Sequence, residues 1–596
     1  MIIILLVLCI GICVGHFVTL LNYPSEYEEL QDEDIIVNEL QNTTEGMSTV
    51  IISEEFTKIE PDNKVFDTID EMKRADLAEG VYVKTEGYYA KGDGGAAIYL
   101  ITSSEQTQNN NTIIGLDNGL KAELQIQNNS VIAEVFGAYG DGIHDDSTVL
   151  QSIIDAGYNL NLTEGKTYKL ISNGIYISRS VTINGNNATL LVDDTYSPKS
   201  TDFNNYCIRY QYGQAQEYFG INNLNIKVDF SDYMYTNRAY NVVSPLYIDV
   251  VELNELDITT NQSNNTINCV WLDRGCSEFT IKNSNLENNT CASAGGTLWI
   301  TSQNDELFGK YNSIDKCIIE NTNLFCSTAD EVLGFWGTNN LNATVTNCKI
   351  TGNIIAKGHT RPITIYSNGD NGAVFNIEFS DCDINAFCDV SGTESYYDSL
   401  IGVGSNYGSN KFNVYFNTCK INSVIYGSLL FPSGYASDTS MIETFDSNDP
   451  SVKIKFFNCS IDTNGPITGS SASYYSTGAL YPSAAWNCSF DQCNVVCEKA
   501  FSYLDTSWSK DFFVPKFEII SSRIRINNSK DFICKSDMSN MVDLYMVNSQ
   551  VIAYNVSNLI SEFSNNQSIL RTQQNAENVV NIFNSTLNDI MIDVNK

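Results

Sequence analysis

The chain has 596 residues, of which 43% are hydrophobic, so it can bury a large core and more than one ordinary domain. Lys and Arg total 34 against 71 Asp and Glu, which gives a formal net charge of −37. This charge argues against nucleic acid as a partner, because nucleic-acid-binding proteins present a positive footprint. It also disfavours simple electrostatic capture of polyanions, so a uronic-acid substrate would need a bridging cation or a local basic patch.

The chain begins with an uncharged apolar run over residues 1–21. The run is long enough to span a membrane, and it is also compatible with a signal peptide cleaved after Gly15. Both alternatives stay open, and both predict an exported protein, either secreted or held at the cell surface by this segment alone. Residues 22–62 are polar and acidic, which predicts a flexible stalk.

Residues 63–103 predict a small α/β module. A helix is expected from about residue 69, with Thr68 or Asp67 near its N-cap. Strands are expected over 80–85 and 96–101, joined by a glycine-rich turn at 92–95. Residues 104–133 then form a linker with strands, and the main domain begins near Glu134.

Turn-forming residues are dense over residues 136–151, which read FGAYGDGIHDDSTVLQ. Asp145 or Asp146 can cap a helix over 147–156 that closes the end of the following structure. The cluster of Asp141, Asp145 and Asp146 also suits catalysis or calcium binding. We favour the turn and the helix cap, because the cluster lies where the domain starts. His144 is expected to face solvent.

From residue 224 onward, a short cadence returns every 27 to 40 residues: an apolar residue, two spacers, a small or thiol marker, one spacer and a second apolar residue. Such a cadence predicts a solenoid, because each repeat buries its apolar face only against its neighbours. The apolar residues alternate with period two, which predicts strands and therefore a parallel β-helix, on the order of 50 Å long. The predicted markers are Leu224, Leu256, Ser284, Cys317, Cys348, Cys382, Cys419, Cys459, Cys493, Ser522 and Ser549.

The chain contains 17 cysteines. The marker cysteines are interpreted as a buried column of free thiols, because free cysteine behaves as a small hydrophobic residue in cores. Two pairs, Cys269 with Cys276 and Cys488 with Cys497, are near enough in sequence to form disulfides across turns.

The stretch at 136–151 resembles the signature that opens the pectate-lyase-like β-helix domain, found in rhamnogalacturonase/epimerase-like proteins, polygalacturonase-related hydrolases and phage tailspikes. Residues 66–99 resemble the module that often precedes it in tailspike-like proteins. The resemblance implies an all-β fold and a right-handed single-stranded parallel β-helix over 134–565. Residues 566–596 lose the marker and are expected to form a C-terminal cap. The resemblance also implies a polysaccharide partner, a homotrimer, and a glycan groove along the outer side of one sheet.

Six segments are expected to be successive strands of the groove-forming sheet: 246–249, 270–274, 297–301, 332–336, 362–366 and 400–404. Aromatic side chains recur on them, and aromatic faces are natural platforms for the C–H surfaces of sugars. The predicted substrate-binding residues are Trp271, Trp299, Trp336, Tyr366 and Arg274. The alternative for the tryptophans is packing between repeats.

Charged residues near these strands suggest chemistry, and the predicted catalytic residues are Asp273, Asp330, Glu331, His359 and Arg361. A hydrolase needs one carboxyl as acid and another as base or nucleophile, and Asp273 with Asp330 or Glu331 could span about 9.6 Å across two repeats. A lyase needs a base and a cation, for which Arg361, Arg274 or His359 with Asp-bound calcium would serve. Calcium is expected as a cofactor only if the protein is a lyase. No metal site is predicted from spacing, and the residue set of polygalacturonases is missing.

Two functions remain open on the sequence. The first is an extracellular or surface-anchored polysaccharide hydrolase or lyase. The second is a non-catalytic glycan-binding adhesin or a tailspike-like structural surface protein. An enzyme needs catalytic groups that converge beside the aromatic residues, whereas a binding protein needs only the aromatic residues.

Overall fold

In the computed structural model, the described residues are 64–591 except 104, 110, 198–205, 211–212, 214, 232–239, 262–265, 273–275, 290–295, 303–313, 328–330, 338–344, 357–361, 368–373, 388–398, 406–409, 425–427, 435–451, 465–485, 498–501, 505–515, 527–530, 536–542, 554–557, 563–578, 584–585 and 588–589. The predicted leader and acidic stalk lie outside the described residues. Within the described residues, no helix is both long enough and apolar enough to cross a membrane.

The first folded part is a small module in which one helix packs on a five-stranded sheet. Helix α1 (Ile69–Arg74) is N-capped by Thr68, whose hydroxyl accepts a hydrogen bond from the Glu71 amide, as predicted. The strands, in the spatial order β1-β2-β3-β5-β4, are β1 (Lys64–Phe66), β2 (Tyr82–Thr85), β3 (Ala97–Thr102), β4 (Ile113–Gly115) and β5 (Lys121–Leu124). The sheet therefore continues through β5, past residue 103.

The main domain is a parallel β-helix, which confirms the predicted all-β fold class. Each turn of the chain, called a rung here, contributes to sheet 1, bends at a corner into sheet 2, and then crosses to sheet 3. Sheet 1 contains β6 (Ser130–Ile132), β8 (Asn159–Asn161), β17 (Glu278–Lys282), β24 (Val374–Ser380), β27 (Lys411–Asn417), β30 (Val452–Phe457), β32 (Trp486–Asp491), β35 (Lys516–Ile520), β38 (Asp543–Val547) and β41 (Val579–Phe583).

Sheet 2 contains β7 (Asp141–Asp145), β9 (Thr167–Lys169), β18 (Asn285–Asn288), β25 (Asp383–Phe387), β28 (Lys420–Val424), β31 (Ser460–Thr463), β33 (Asn494–Cys497), β36 (Arg523–Ile526), β39 (Gln550–Ala553) and β42 (Thr586–Leu587). The long strands that run through the corner, and so belong to both sheets, are β11 (Val181–Asp193), β13 (Gln216–Asp229), β15 (Ile248–Thr260), β20 (Lys316–Cys326) and β22 (Val345–Ala356).

Sheet 3 has nine described strands in succession: β10 (Ile175–Ile177), β12 (Tyr206–Tyr210), β14 (Tyr240–Ser244), β16 (Ile267–Leu272), β19 (Gly296–Ser302), β21 (Glu331–Gly337), β23 (Ile363–Ser367), β26 (Ser399–Ser405) and β29 (Ser428–Gly434). A further three-stranded sheet contains β34 (Ser502–Leu504), β37 (Asp531–Lys535) and β40 (Asn558–Glu562). The five segments expected at 270–404 overlap the described strands β16, β19, β21, β23 and β26 of sheet 3. The segment at 246–249 does not: Ile248 begins β15, and the sheet 3 strand of that rung is β14.

The corner between sheets 1 and 2 explains the sequence cadence. At nine of the eleven predicted markers, the residue before the marker has a left-handed backbone; Thr418 has φ 56° and Asn458 has φ 52°. This conformation turns the chain so that the marker side chain points inward. The leucine markers pack in the core, and the serine and cysteine markers donate to carbonyl groups. Cys459 Sγ, for example, lies 3.3 Å from Phe457 O in its own rung and 3.4 Å from Phe416 O in the previous rung. A small donor is therefore favoured at the marker, and Asn or Asp is favoured before it.

Two of the predicted markers are wrong. Cys317 and Cys348 are register partners of each other within sheet 1, and the corner markers of their rungs are Thr322 and Gly352, which are paired in register. The cadence slips there because the corner of β22 has one residue fewer than that of the next rung: Ile350 pairs with Phe379, and Asn353 pairs with Asp383. The column of marker thiols therefore starts at Cys382.

The apolar residues of the cadence form a continuous core. The rings of Phe379, Phe416, Phe456 and Phe490 stack in sequence with centroids 4.6, 4.8 and 4.9 Å apart. These distances match the spacing between strands, about 4.8 Å. Each stacked pair contributes about 0.5–1.5 kcal/mol beyond the burial of its surface.

The two disulfides that the sequence left open are not formed. Cys269, Cys276, Cys488 and Cys497 are buried free cysteines. Burial raises the pKa of the Cys269, Cys276 and Cys488 thiols well above the usual value, so they remain neutral core residues.

The first rungs are covered by helix α2 (Ser147–Asp155), as predicted, which buries Leu150, Ile153 and Ile154. It is preceded by a short 3₁₀ helix (Ala133–Phe136). At the other end, β41 continues sheet 1 within the segment expected to be the cap, and β42 then pairs antiparallel with β43 (Ile590–Met591).

Candidate functional site

The candidate site is the outer face of sheet 3 around β16 to β23. Leu298, Leu333 and Ile363 point into the core and are fully buried. Trp299 alternates with the inward residues of its strand and is partly exposed, as are Trp271, Trp336 and Tyr366 on theirs. These four side chains are called the aromatic face.

The aromatic face consists of two pairs on neighbouring columns. Trp271 and Trp299 are register partners whose ring centroids lie 6.5 Å apart at an interplanar angle of 85°. Trp336 and Tyr366 are register partners on the adjacent column, with centroids 5.1 Å apart at 65°. Both are edge-to-face arrangements, which aromatic pairs prefer. The four rings thus form one aromatic surface spanning four rungs, roughly 14 Å along the axis.

Small residues continue the column of Trp271 and Trp299 toward the C-terminal rungs. Trp299 is followed in register by Gly334, Thr364 and Gly402. The strip of small side chains lies beside Trp336 and Tyr366, which stand two residues further along the same strands. The strip itself is buried, so the aromatic rings are the part of this face that a bound chain lying across the rungs would contact.

Two glycines make room for the indoles. A Cβ on Gly296 would lie 2.0 Å from Trp299 Nε1. A Cβ on Gly334 would lie 2.4 Å from Glu331 Oε2, 3.0 Å from Trp336 Nε1 and 3.1 Å from Trp299 Cδ1. Gly334 is therefore the point at which the two aromatic columns and the only carboxylate on the described strands of this sheet meet.

Glu331 is buried, with a relative exposure of 1%, at the first position of β21. Trp336 Nε1 donates a hydrogen bond of 2.9 Å to Glu331 Oε2. A buried carboxylate needs such donors, and the bond also fixes the plane of the indole. The orientation of Trp336 therefore depends on Glu331.

Sheet 3 carries very little charge. Arg209 and Glu331 are the only charged residues within its nine strands from β10 to β29. Sheet 1, by contrast, presents exposed ion pairs such as Lys282 with Glu320 at 2.8 Å. The acidic surplus of the chain is thus located outside the strands of sheet 3.

Five of the ten predicted site residues lie within the described part of the chain, and five lie outside it. Trp271, Trp299, Trp336, Tyr366 and Glu331 lie together on sheet 3. The other predicted residues lie outside the described residues, namely Asp273, Arg274, Asp330, His359 and Arg361.

The strand register sets a constraint on the predicted pairing of Glu331 with a carboxyl after β16. Leu272, the last residue of β16, is level with Phe335 through Ile300. Glu331 is four residues before Phe335, which is roughly 13 Å back along the strand. The carboxylate of Glu331 and the end of β16 are thus separated along the strands as well as by two rungs.

A second group, which was not predicted from the sequence, lies on the same sheet near its N-terminal end. The guanidinium carbon of Arg209 lies 4.6 Å from the ring centroid of Tyr206 and 5.9 Å from that of Tyr176. Arg209 is in register with Tyr176 and Ser244, and the pairing of the preceding residues places Ser244 level with Trp271. The short apolar run at 206–210 is visible in the sequence, but it lies upstream of the cadence that begins at Leu224.

The carboxylates at residues 141–146 serve the local turns. Asp146 accepts from the Tyr139 and Gly140 amides at 2.7 and 3.1 Å, and it is the N-cap residue of α2. Asp145 accepts from the Ser147 amide at 3.1 Å. Burial raises the pKa of Asp146 to about 6. These bonds support the turn interpretation. Asp146 stands at the N-cap position of α2, but its side chain makes no capping hydrogen bond to the helix. No metal-binding cluster occurs among the described residues.

The third carboxylate of this group, Asp141, pairs with His144. The Oδ2 atom of Asp141 lies 2.7 Å from His144 Nδ1, and the imidazole is stacked on Tyr139 with ring centroids 4.1 Å apart. His144 has 54% of its side chain exposed, which confirms that it faces solvent.

No protein-family model matches the chain, and a search of curated proteins found no match. Among solved structures, the chain is similar to the Acinetobacter phage vb_AbaP_AS12 tailspike, with 11% identity, a TM-score of 0.43, and coverage of 85% of this chain and 79% of the tailspike. It is also similar to the Acinetobacter baumannii phage AM24 tailspike, with 13% identity, a TM-score of 0.36 and coverage of 76% of this chain. The chain spans 64% of that tailspike.

A further similar structure is a tailspike of Acinetobacter baumannii phage Fri1, described as a capsular polysaccharide depolymerase. Here the identity is 12%, the TM-score is 0.29, and the coverage is 89% of this chain and 77% of the tailspike. The parallel β-helix fold is established by the strand pairing of this chain itself.

Proposed function

We propose that this protein binds an extended polysaccharide across the rungs of sheet 3, with the sugar rings resting on the aromatic face. The observation that carries the proposal is the pair of partly exposed aromatic columns, Trp271 with Trp299 and Trp336 with Tyr366, beside the strip of small residues. Clustered, partly exposed tryptophans are unfavourable to leave in water, and they offer flat apolar surface to sugar C–H groups.

A second function, cleavage of the bound polysaccharide, is favoured by the position of Glu331. Its carboxylate is held at 2.9 Å by Trp336, directly beside the aromatic face. In a hydrolase, one carboxyl acts as acid and another as base or nucleophile. The partners proposed from the sequence are Asp273 and Asp330 for a hydrolase, or Arg274, His359 and Arg361 with calcium for a lyase.

The test is a screen of the full chain against neutral and acidic polysaccharides. Binding is measured by affinity electrophoresis. Cleavage is followed both by reducing ends and by the absorbance of unsaturated uronates, with and without calcium. Trp299→Ala should weaken binding by about 30-fold, the effect of losing an interface anchor worth about 2 kcal/mol. A matched control is Phe457→Ala, an exposed aromatic on sheet 1, which should leave binding unchanged.

The outcomes separate the two functions. Reducing ends alone would identify a hydrolase, and Asp273→Asn and Glu331→Gln should then abolish them. Unsaturated products that require calcium would identify a lyase and assign the base to Arg361, Arg274 or His359. Binding without any product would leave the adhesin or structural role. Absence of binding to every polymer would refute the proposal.

We also propose that the protein acts outside the cell, secreted or held at the surface by residues 1–21, and that it assembles as a homotrimer. Light scattering of the purified full chain would measure the assembly state directly. A monomer at micromolar concentration would contradict the trimer without affecting the binding proposal.

A further inference from the structure

We propose that the polysaccharide bound on sheet 3 is acidic, and that Arg209 binds one of its carboxylates. This inference rests on the proposed function, because it assigns a chemical class to the same polymer. It concerns the part of sheet 3 that lies N-terminal to the aromatic face.

The strand register places Arg209 in line with the aromatic face. Arg209 pairs with Ser244, and Ser244 is level with Trp271. Two rungs therefore separate Arg209 from Trp271, about 9.6 Å along the axis. This is a span on the scale of a disaccharide, so a polymer whose rings rest on Trp271 and Trp299 would extend over Arg209.

Aromatic rings and a backbone carbonyl hold the guanidinium in place. Its carbon lies 4.6 Å from the Tyr206 ring centroid, and Arg209 Nε donates a hydrogen bond of 3.2 Å to Tyr210 O. Stacking on an aromatic face suits arginine, and the planar guanidinium matches a carboxylate in two-point geometry, which a lysine ammonium cannot do. Arg209 is partly exposed, as is the neighbouring Tyr176.

The distribution of charge on sheet 3 favours an anionic polymer despite the net charge of −37. Arg209 and Glu331 are the only charged residues within the nine strands, and Glu331 is buried and hydrogen-bonded by Trp336. Along these strands, therefore, an anionic chain would meet one partly exposed cation and no exposed carboxylate. This single cation supplies local positive charge for the binding of a uronic acid.

Ser244, between Arg209 and Trp271, adds a polar group to the same column. The residue is fully buried, and its hydroxyl has no hydrogen-bond partner within the described part of the chain. A buried hydroxyl without a partner is unfavourable unless water or a ligand completes its hydrogen bonds.

The experiment compares matched polymers with the full chain. The probes are polygalacturonate, alginate and hyaluronan, each beside a form whose carboxyl groups have been reduced to alcohols. We expect at least one native polymer to bind 10-fold or more tightly than its reduced form. Arg209→Gln should abolish this preference while leaving the weaker binding of the reduced polymer intact, which also shows that the variant is folded. Arg209→Lys should restore only part of the preference.

The control is Lys282→Gln, which removes a positive charge from the outer face of sheet 1 and should leave the preference unchanged. If native and reduced polymers bind equally, or if Arg209→Gln retains the preference, the inference fails. In that case Trp299→Ala should still weaken binding, and the proposed function stands. If no polymer in either form binds, the proposed function fails and the inference fails with it.

Discussion

Gly334→Ala tests whether the two aromatic columns and Glu331 form one packed unit. The added Cβ would lie 2.4 Å from Glu331 Oε2, so the carboxylate must retreat by roughly 1 Å to reach ordinary van der Waals distance. Trp336 Nε1 now donates to that oxygen at 2.9 Å. Trp336 Nε1 would lie 3.0 Å from the new Cβ, so the indole is displaced as well. Together the two displacements move Glu331 Oε2 beyond hydrogen-bond range of Trp336 Nε1.

The expected cost has two parts. Losing a hydrogen bond to a charged group costs about 1.5–3 kcal/mol of unfolding free energy. Overpacking against Trp299 and Trp336 adds about 1–3 kcal/mol. Trp336→Phe removes the same hydrogen bond without overpacking, so it should cost about 1.5–3 kcal/mol. Because both changes break one bond, the double variant should cost less than the sum by at least about 1 kcal/mol.

The assay is guanidinium denaturation of the four proteins in the cycle, followed by circular dichroism. Gly220→Ala is the control, because its Cβ would lie 2.4 Å from the hydroxyl of Tyr218, an overlap of the same size away from sheet 3. Combined with Trp336→Phe, it should behave additively. Additivity of Gly334→Ala with Trp336→Phe would refute the packed unit, as would a Gly334→Ala variant as stable as the wild type.

Three further outcomes follow from the corner and the N-cap. Thr418 has a left-handed φ of 56° that suits asparagine better than a β-branched residue. Thr418→Asn should therefore raise the unfolding free energy by about 1 kcal/mol, and Asn458→Thr should lower it by as much; equal stabilities in denaturation would contradict this. Cys459→Ser should be nearly neutral, because Ser522 makes the same bonds to carbonyls, whereas Cys459→Ala should cost about 1–3 kcal/mol; a loss as large in the serine variant would contradict the donor role. Burial raises the pKa of Asp146 from 3.8 to about 6, so native Asp146 keeps a proton that the unfolded chain releases; its stabilising effect is complete below about pH 4 and is lost by about pH 6, up to about 3 kcal/mol. Asp146→Asn should flatten the stability profile over this interval, and a profile parallel to that of the wild type would contradict the pKa shift.

The fold could be predicted because the corner repeats a local rule. Each corner needs a residue that tolerates a left-handed backbone, then a small donor, then an inward apolar residue, and the sequence shows these requirements directly. The prediction was wrong at Cys317 and Cys348, because one rung has a shorter corner and because a cysteine four or five positions before the true marker imitates the pattern. A local pattern fixes the type of a corner, whereas its register depends on pairing with the next rung.

The aromatic part of the site could also be predicted, because aromatic residues on outward positions of successive strands are visible in the sequence. Arg209 could not be found in the same way. Its assignment to the site depends on its register with Ser244 and Trp271, across connections whose lengths differ from rung to rung. Glu331 could be named from the sequence because of its residue type, but its surroundings could not. Only the structure reveals that its side chain is buried and hydrogen-bonded to Trp336.

The net charge of −37 repels an acidic polymer, whereas the single arginine on sheet 3 attracts it. The salt dependence of binding distinguishes the two effects. At physiological ionic strength the screening length is about 8 Å, so carboxylates on the opposite side of the β-helix interact only weakly with a polymer bound to sheet 3. A carboxylate in contact with Arg209 is screened less, because the stacked guanidinium is partly buried. If repulsion by the whole chain dominated, added salt would strengthen binding of polygalacturonate. If the contact with Arg209 dominates, added salt weakens that binding, and the dependence disappears in Arg209→Gln. The sign of the salt dependence therefore shows whether the net charge of the chain or the contact with Arg209 dominates the binding.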